Sequence, residues 1–272
     1  MKQINARGLV MIGCGFMGKA LLEGWFARGV QPGAFHVQDP TPSDWVLSQS
    51  ELHVNEVLPE NPAVLLIAIK PQMLGDVLPD LKRFGGGDTL VISIVTGAAL
   101  EVYETAFGPD TPVVRAMPNL PAAVGAGVSV YACNACINAD QADIAAELFG
   151  AVGIAIRLDD EAQIHAVTGT SGSGPAYVFA MAEAMTKAGE ALGLPSALAA
   201  TLAVHTIAGA GEMMRKSKAG PVELRKAVTS KGGTTAESLK VLMASDTGLF
   251  ELMERAARAS HNRSSELGQK QF

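Results

Sequence analysis

The fold is decided near the start of the chain, where residues 8–18 read GLVMIGCGFMG. An apolar run typical of a buried strand leads directly into the glycines, and apolar side chains at helical spacing follow them. In a G-x-G-x-x-G pattern the first glycine permits a tight turn, the second lets a pyrophosphate approach the backbone, and the third lets helix and strand pack closely. We therefore predict a dinucleotide-binding loop, in which amide groups at a helix N-terminus hold the phosphates.

The rest of the N-terminal half alternates strand-like and helix-like stretches. Predicted strands cover residues 8–12, 35–38, 63–69, 89–95 and 112–116, and predicted helices cover residues 16–28, 73–84 and 98–107. Residues 63–69 are apolar without alternation, as in a strand covered on both faces of a parallel sheet. The repetition predicts an α/β fold, with a Rossmann-like doubly wound N-terminal domain.

From about Glu161 onward, long stretches rich in Ala, Leu and Met replace the β-branched runs. We predict an all-helical C-terminal domain and place the boundary near Asp159, which gives domains 1–158 and 159–272. The polar residues 261–272 are interpreted as a frayed terminus.

Composition and charge limit the class of protein, its partners and its location. The chain has 272 residues, of which 48% are hydrophobic and 18% charged, so a disordered protein is excluded. The net charge of -6 and the lack of a basic run argue against a nucleic-acid partner. Residues 191–211 contain no charged side chain, but their weakly apolar content favours a buried helix over a membrane span. No targeting signal is recognised, so a cytoplasmic location is expected.

The three cysteines do not predict a metal site. Cys133 and Cys136 form a lone C-x-x-C without a second ligand pair, and Cys14 is far away in sequence. We interpret them as reduced thiols with a minor structural role and expect no metal.

Two polar residues extend the predicted cofactor site. Asp39 lies 21 positions after Gly18, at the end of the second strand, where a carboxylate would accept hydrogen bonds from an adenosine ribose. The alternative for Asp39 is a turn residue at a strand end. Lys70 follows the third predicted strand, and it is either a ligand contact or a solvated residue at a helix start.

Two clusters of glycine and hydroxyl residues occur in the helical half. Residues 165–179 read HAVTGTSGSGPAYVF and residues 228–237 read VTSKGGTTAE. Free amides and Ser/Thr donors suit a small carboxylate. The alternative is helix capping with close helix packing.

These motifs together give the chain its resemblance to the pyrroline-5-carboxylate reductases. The similarity runs from Gly8 to about Ala244 and includes the first glycine motif, AIKP at 68–71, RAMPN at 115–119, GSGPAY at 172–177 and SxGGTT at 230–235. Two departures stand out: Lys231 replaces a usual proline, and the turn near Asp39 lacks a Ser/Thr-rich or basic character.

The resemblance implies hydride transfer from NADH or NADPH to 1-pyrroline-5-carboxylate, which gives L-proline. It also implies a helical domain that interlocks in a homodimer or a larger assembly of dimers. By motif match, the implied cofactor contacts are Gly13, Gly15, Met17, Gly18, Asn55, Ala68, Lys70 and Pro71, to which Asp39 is added from its position. The implied substrate loop comprises Ser230, Gly232, Gly233, Thr234 and Thr235. Within it, we assign Thr235 to the ring nitrogen and Ser230 to the carboxylate.

Two other functions are alternatives. A 3-hydroxyacid dehydrogenase, or another imine reductase, would share the two-domain plan. Gly169, Gly172 and Gly174 fit the dehydrogenase motif, but Val178 stands at its lysine position. A carbonyl oxygen needs a proton as the hydride arrives, whereas an iminium nitrogen already carries one, so Val178 favours C=N reduction. A non-catalytic nucleotide-binding module would need only the first glycine motif.

Cofactor choice is predicted from charge. Residues 29–69 contain no Lys or Arg to receive a 2′-phosphate, and Asp39 would accept from a ribose hydroxyl there. We expect NADH to be used at least as well as NADPH; the alternative is that Asp39 points away and a Thr41 or Ser43 hydroxyl receives a phosphate.

Overall fold

The computed structural model describes residues 1–271, with side chains up to residue 269, and Phe272 lies outside this description. The chain forms two compact units. The first comprises Met1–Gly172 with Ala259–Phe272, and the second comprises Ser173–Arg258.

The first unit is built around one eight-stranded sheet. Its strand order is β3-β2-β1-β4-β5-β6-β7-β8, and all neighbours are parallel except β6 and β7. The strands are β1 (Leu9–Ile12), β2 (Phe35–Gln38), β3 (His53–Val54), β4 (Val64–Ile67), β5 (Leu90–Ser93), β6 (Val113–Met117), β7 (Gly127–Cys133) and β8 (Gly153–Arg157). This confirms the predicted doubly wound α/β class.

Helices cover both faces of the sheet, so successive residues of β1 enter two separate cores. The helices of the first unit are α1 (Lys2–Arg7), α2 (Phe16–Ala27), α3 (Asp44–Leu47), α4 (Leu74–Leu81), α5 (Leu100–Phe107), α6 (Ala139–Gly150) and α7 (Ile164–Val167). A wide π-type turn, Thr168–Gly172, follows α7. Leu9 and Met11 pack in one core with Trp25, whereas Val10 and Ile12 pack in the other with Tyr103.

Three strands were not predicted. β3 has only two residues, too few for a sequence pattern. β7 includes Ser129, which is fully buried and interrupts the apolar run. β8 lies at the sheet edge with Ile154 and Ile156 exposed, so it lacks the burial that makes central strands recognisable.

The observed units meet after Gly172 and after Arg258. The predicted domains 1–158 and 159–272 meet after residue 158. Residues 160–172 belong to the first unit, where Glu161 accepts hydrogen bonds from Arg115 Nη1 at 2.7 Å and Leu100 N at 2.8 Å. Asn119 likewise donates to the carbonyl oxygen of Ser171 at 3.2 Å. These polar contacts join residues far apart in sequence, which composition alone does not reveal.

The interpretation of residues 261–272 as a frayed terminus was wrong for the described part. They continue the long helix α12 (Leu249–Gln271). Ser264 is 2% exposed, and its hydroxyl lies 3.0 Å from Nδ1 of His165. A polar segment is therefore held by buried hydrogen bonds.

The second unit is entirely helical, as predicted. It contains α8 (Gly174–Ala191), α9 (Ser196–Lys216), α10 (Pro221–Ala227), α11 (Thr234–Leu242) and the start of α12. In this unit the only buried side chains of described residues are Ala199 and Ala203, on the face of α9 that packs against α8. Most apolar side chains of α8 and α9 are exposed in the single chain.

The helix α9 also passes a length and composition test for a membrane span. Its mean hydropathy is 1.2, and among the helices of residues 1–271 it alone meets that test. Only 11% of its most apolar stretch is buried in the single chain. A core helix of a soluble protein passes the same test, so this finding alone does not indicate a membrane.

Candidate active site

The glycine loop lies between β1 and α2, and each glycine meets a different steric demand. Gly13 has φ +81°, and a Cβ there would lie 2.9 Å from the carbonyl oxygen of Ala68. A Cβ on Gly15 would meet nothing within 4 Å, so the backbone is open on that side. A Cβ on Gly18 would lie 3.2 Å from the Gly13 carbonyl oxygen, which shows close helix–strand packing. These are the three demands of a dinucleotide-binding turn.

A cleft of about 520 Å³ opens in front of this loop. Its lining residues are Gly13, Cys14, Gly15, Phe16, Lys19, Asp39, Pro40, Thr41, Ser43, Ala68, Ile69, Lys70 and Met73. The structure thus brings together five of the predicted cofactor residues, namely Gly13, Gly15, Asp39, Ala68 and Lys70. Met17, Gly18, Asn55 and Pro71 are not among the lining residues. The backbone at Gly15 has open space beside it, and no side chain caps the start of α2. Both features suit the binding of a pyrophosphate.

Asp39 is fixed by the backbone around it. Its carboxylate accepts from Cys14 N at 2.6 Å and from Thr41 N at 2.8 Å. The carboxylate therefore ties the end of β2 to the glycine loop. Two carboxylate oxygens have about four acceptor sites, so capacity for a ribose hydroxyl remains.

Asn55 lies behind Asp39 rather than in the cleft lining. Its side chain accepts from Asp39 N at 2.9 Å and donates to the Asp39 carbonyl oxygen at 2.8 Å. With φ +55°, it is the only described non-glycine residue in the left-handed region. Asparagine tolerates this conformation better than most residues. The two hydrogen bonds give Asn55 a local role, which is to orient Asp39.

Sequence reasoning missed Lys19 in the cleft, whereas Ser43, offered as an alternative phosphate contact, does line it. Lys19 is on α2, one turn after the glycine loop, and its ammonium lies 3.5 Å from Glu23 and 5.4 Å from the centre of the Trp45 ring. Lys19 lies outside residues 29–69, the stretch in which a cation for a 2′-phosphate is expected. The position of Lys19 four residues after Gly15 places it on the α2 face above the loop.

Cys14 lines the cleft, but its thiol is poorly reactive. Burial, reinforced by the negative charge of Asp39, raises the pKa of its thiol to about 12. The thiol therefore remains protonated and is a poor nucleophile. Cys14, Cys133 and Cys136 are all free, and among the described residues no group of three or more His, Cys, Asp or Glu side chains could hold a metal.

The predicted nicotinamide-side residues follow β4. Ala68 N donates to the Ile12 carbonyl oxygen at 2.8 Å, which keeps it beside the carboxyl end of β1. Lys70 is exposed and caps a short 3-10 turn that begins at Pro71. Open α/β sheets bind ligands at this edge of the sheet.

The second predicted group lies in the second unit, on the loop from Val228 to the start of α11. Gly233 N donates to the Ser230 carbonyl oxygen at 3.1 Å, and Gly232 has φ +73°. A Cβ on Gly233 would meet Ser230 Oγ, so a side chain there requires the serine hydroxyl to move. Gly233 caps α11 without a side-chain acceptor, and Thr234 and Thr235 occupy its first two positions. Their backbone amides can donate hydrogen bonds to an anion.

Lys231 does not distort this turn. It is the second residue of a four-residue turn whose third residue, Gly232, has a positive φ. Turns of this kind often have proline second, but they accept any residue with a negative φ there. Lys231 meets this condition, so the departure from the usual proline leaves the turn intact.

Comparison with known families matches both halves of the chain. A sequence model described as "Pyrroline-5-carboxylate reductase dimerisation" matches residues 161–267. A second, described as "NADP oxidoreductase coenzyme F420-dependent", matches residues 9–97.

Individual proteins are similar over nearly the whole length. The pyrroline-5-carboxylate reductase of Pseudomonas aeruginosa is 39% identical, with 96% of this chain and 97% of that protein covered. A solved pyrroline-5-carboxylate reductase from Coxiella burnetii has 34% identity and a TM-score of 0.87, covering 97% of this chain and 99% of that one. A Plasmodium falciparum pyrroline carboxylate reductase, solved with NADP bound, has 28% identity and a TM-score of 0.86 over the same shares.

Proposed function

The chain belongs to the pyrroline-5-carboxylate reductase family, and from this premise we propose that it reduces 1-pyrroline-5-carboxylate to L-proline with NAD(P)H. When bound, NAD(P)H supplies the hydride. In the substrate the C=N carbon accepts this hydride, and the protonated nitrogen keeps its proton as it becomes an amine. The reaction therefore needs positioned hydrogen-bond donors rather than a side chain that delivers a proton.

The first unit supplies the proposed cofactor contacts. Amides of the glycine loop, with Gly13, Gly15, Met17 and Gly18, hold the pyrophosphate. Asp39, oriented by Asn55, accepts from the adenosine ribose, and Ala68, Lys70 and Pro71 border the nicotinamide half. The open Gly15 backbone supports this assignment.

The second unit supplies the proposed substrate contacts. Ser230 and the amides of Gly232 and Thr234 bind the carboxylate, and Gly233 forms the tight turn that carries them. The Thr235 hydroxyl lies at the ring nitrogen. One observation carries this proposal most directly: the first turn of α11 has no side-chain cap and begins with a Gly-Gly-Thr-Thr sequence. A nucleotide-binding module would not need this second anion site.

We expect purified protein to oxidise NADH or NADPH when 1-pyrroline-5-carboxylate is added. The measurement is the loss of absorbance of the reduced nicotinamide, with proline identified as the product. A 3-oxoacid serves as the comparison substrate. Turnover of the 3-oxoacid together with no reaction of the cyclic imine would contradict the proposal and favour the dehydrogenase alternative.

The same proposal includes self-association through α8 and α9 as a homodimer or an assembly of dimers. The second unit buries only two apolar side chains by itself, and its exposed apolar surface exceeds what a soluble monomer usually leaves uncovered. The matched family description names dimerisation over residues 161–267, which include both helices.

The proposal also includes a cytoplasmic location without nucleic-acid or membrane partners. The net charge of -6 provides no basic surface for nucleic acid.

For cofactor choice, we propose that NADH is used at least as well as NADPH because of Asp39. A carboxylate fixed at that place repels a 2′-phosphate by on the order of 1 kcal/mol, or about fivefold in rate. Lys19, a cation that lines the same cleft, already lies beside Glu23. We therefore expect Asp39→Ser to raise the ratio of kcat/KM for NADPH to that for NADH about fivefold.

Asp44→Ser is the matched control, because Asp44 starts α3 and does not line the cleft. Using the ratio cancels any common loss from the two hydrogen bonds that Asp39 makes. A wild-type protein that prefers NADPH tenfold would overturn the proposed preference.

A further inference from the structure

The loop between β5 and α5 lies at the edge of the sheet where the cofactor residues are. Ile94 N donates to the Ile67 carbonyl oxygen at 3.1 Å, so this loop starts beside the residue that precedes Ala68. In open α/β sheets such loops at the carboxyl ends of central strands face the ligand. The loop comprises residues 94–99.

The far end of α12 touches the middle of this loop, backbone against backbone. Gly97 has φ +93°, and a Cβ built on Gly268 would lie 2.6 Å from the Gly97 carbonyl oxygen. A Cβ on Gly97 would lie 2.9 Å from Gly268 N. Neither glycine has room for a methyl group, because the obstructing atoms are backbone rather than flexible side chain.

The helix segment is itself fixed to the first unit. One turn before Gly268, the Ser264 hydroxyl lies 3.0 Å from His165 Nδ1 and 3.5 Å from Thr168 Oγ1. At its other end the loop leads into α5, whose first amide, Leu100 N, donates to Glu161 at 2.8 Å. The loop is thus held at its start, its middle and its end.

We infer that the α12 segment from Ser264 to Gly268 positions the loop 94–99 next to the nicotinamide half of the cofactor, with Gly268 as a positioning residue for hydride transfer. This inference rests on the proposed function. It assigns residues near the end of the chain to the geometry of the reaction rather than to the helical unit.

The test is Gly268→Ala in the full chain. Its methyl group must move the loop or the helix end by several tenths of an ångström, and small misplacements of this kind lower rates by about tenfold. We expect kcat to fall by about that factor and the Kd for NADH, measured by its fluorescence, to rise. Binding of ADP-ribose, which lacks only the nicotinamide ring, should stay within twofold.

Gly150→Ala is the matched control, since Gly150 ends α6 and a Cβ there meets nothing within 4 Å. A chain that ends at Leu267 removes the contact without adding an atom, and it replaces the alanine variant if that variant does not fold. Unchanged kcat in a folded variant would overturn the inference. So would equal losses of NADH and ADP-ribose binding, which indicate general destabilisation. The two binding measurements stay informative even if the enzyme reduces another substrate.

Discussion

A chain carrying Leu198→Glu and Leu202→Glu is expected to be monomeric and to lose at least about 99% of its activity. The two leucines are four residues apart on one side of α9 and are 46% and 48% exposed in the single chain. If a second copy covers them, each glutamate becomes a buried charge without a partner. One such charge costs about 3 kcal/mol or more, which weakens association at least about a hundredfold.

The loss of activity follows from the weak core of the second unit. With only Ala199 and Ala203 buried, the helices depend on the other copy for most of their apolar burial. The loop before α11 belongs to that unit and should lose its order together with the interface.

Sedimentation and steady-state kinetics at several protein concentrations provide the measurement. Val57→Glu is the matched control, because Val57 is 93% exposed in the first unit and its substitution should leave both assembly and rate unchanged. A double variant that is monomeric and fully active would disprove the dependence of activity on assembly. An unchanged oligomer would place the interface elsewhere.

The second large effect is expected from Thr235→Ala. Its hydroxyl is proposed to lie at the substrate nitrogen, and a lost hydrogen bond to a charged group costs about 1.5–3 kcal/mol. We therefore expect kcat/KM for 1-pyrroline-5-carboxylate to fall about 10- to 150-fold, with NADH binding unchanged.

Thr235→Ser keeps the hydroxyl and should restore most of the rate, which separates hydrogen bonding from helix packing. Circular dichroism and the thermal midpoint show whether the alanine variant is folded. A folded Thr235→Ala protein with wild-type kcat/KM would remove this hydroxyl from the mechanism.

The central part of the fold was predictable because its pattern is local. β1 enters a glycine loop whose spacing has a steric reason, and β4 is an apolar run buried on both faces. Contacts between distant segments carry no such local pattern. Glu161 reads as an ordinary acid at the start of a helical region, yet it binds Arg115 across the first unit.

In the candidate site, too, local patterns predict some residues, and contacts between distant segments determine others. Asp39 was predicted from its position at a strand end, and the structure fixes it in the cleft. The resemblance implies a cofactor contact for Asn55, and the structure shows hydrogen bonds from its side chain to the Asp39 backbone. Lys19 lines the cleft because of its position on α2, four residues after Gly15. The pattern around the second strand therefore does not predict it.

The two stretches that build the first unit have a consequence for biosynthesis on the ribosome. Residues 1–172 emerge first, but Ser264 and Gly268 become available only after the 86 residues of Ser173–Arg258 have been translated. Domains usually fold in the order in which they emerge. A first unit that begins to fold as it emerges therefore has the loop around Gly97 uncovered until the end of α12 has been synthesised. The chain can close that loop only after translation has passed the whole helical unit.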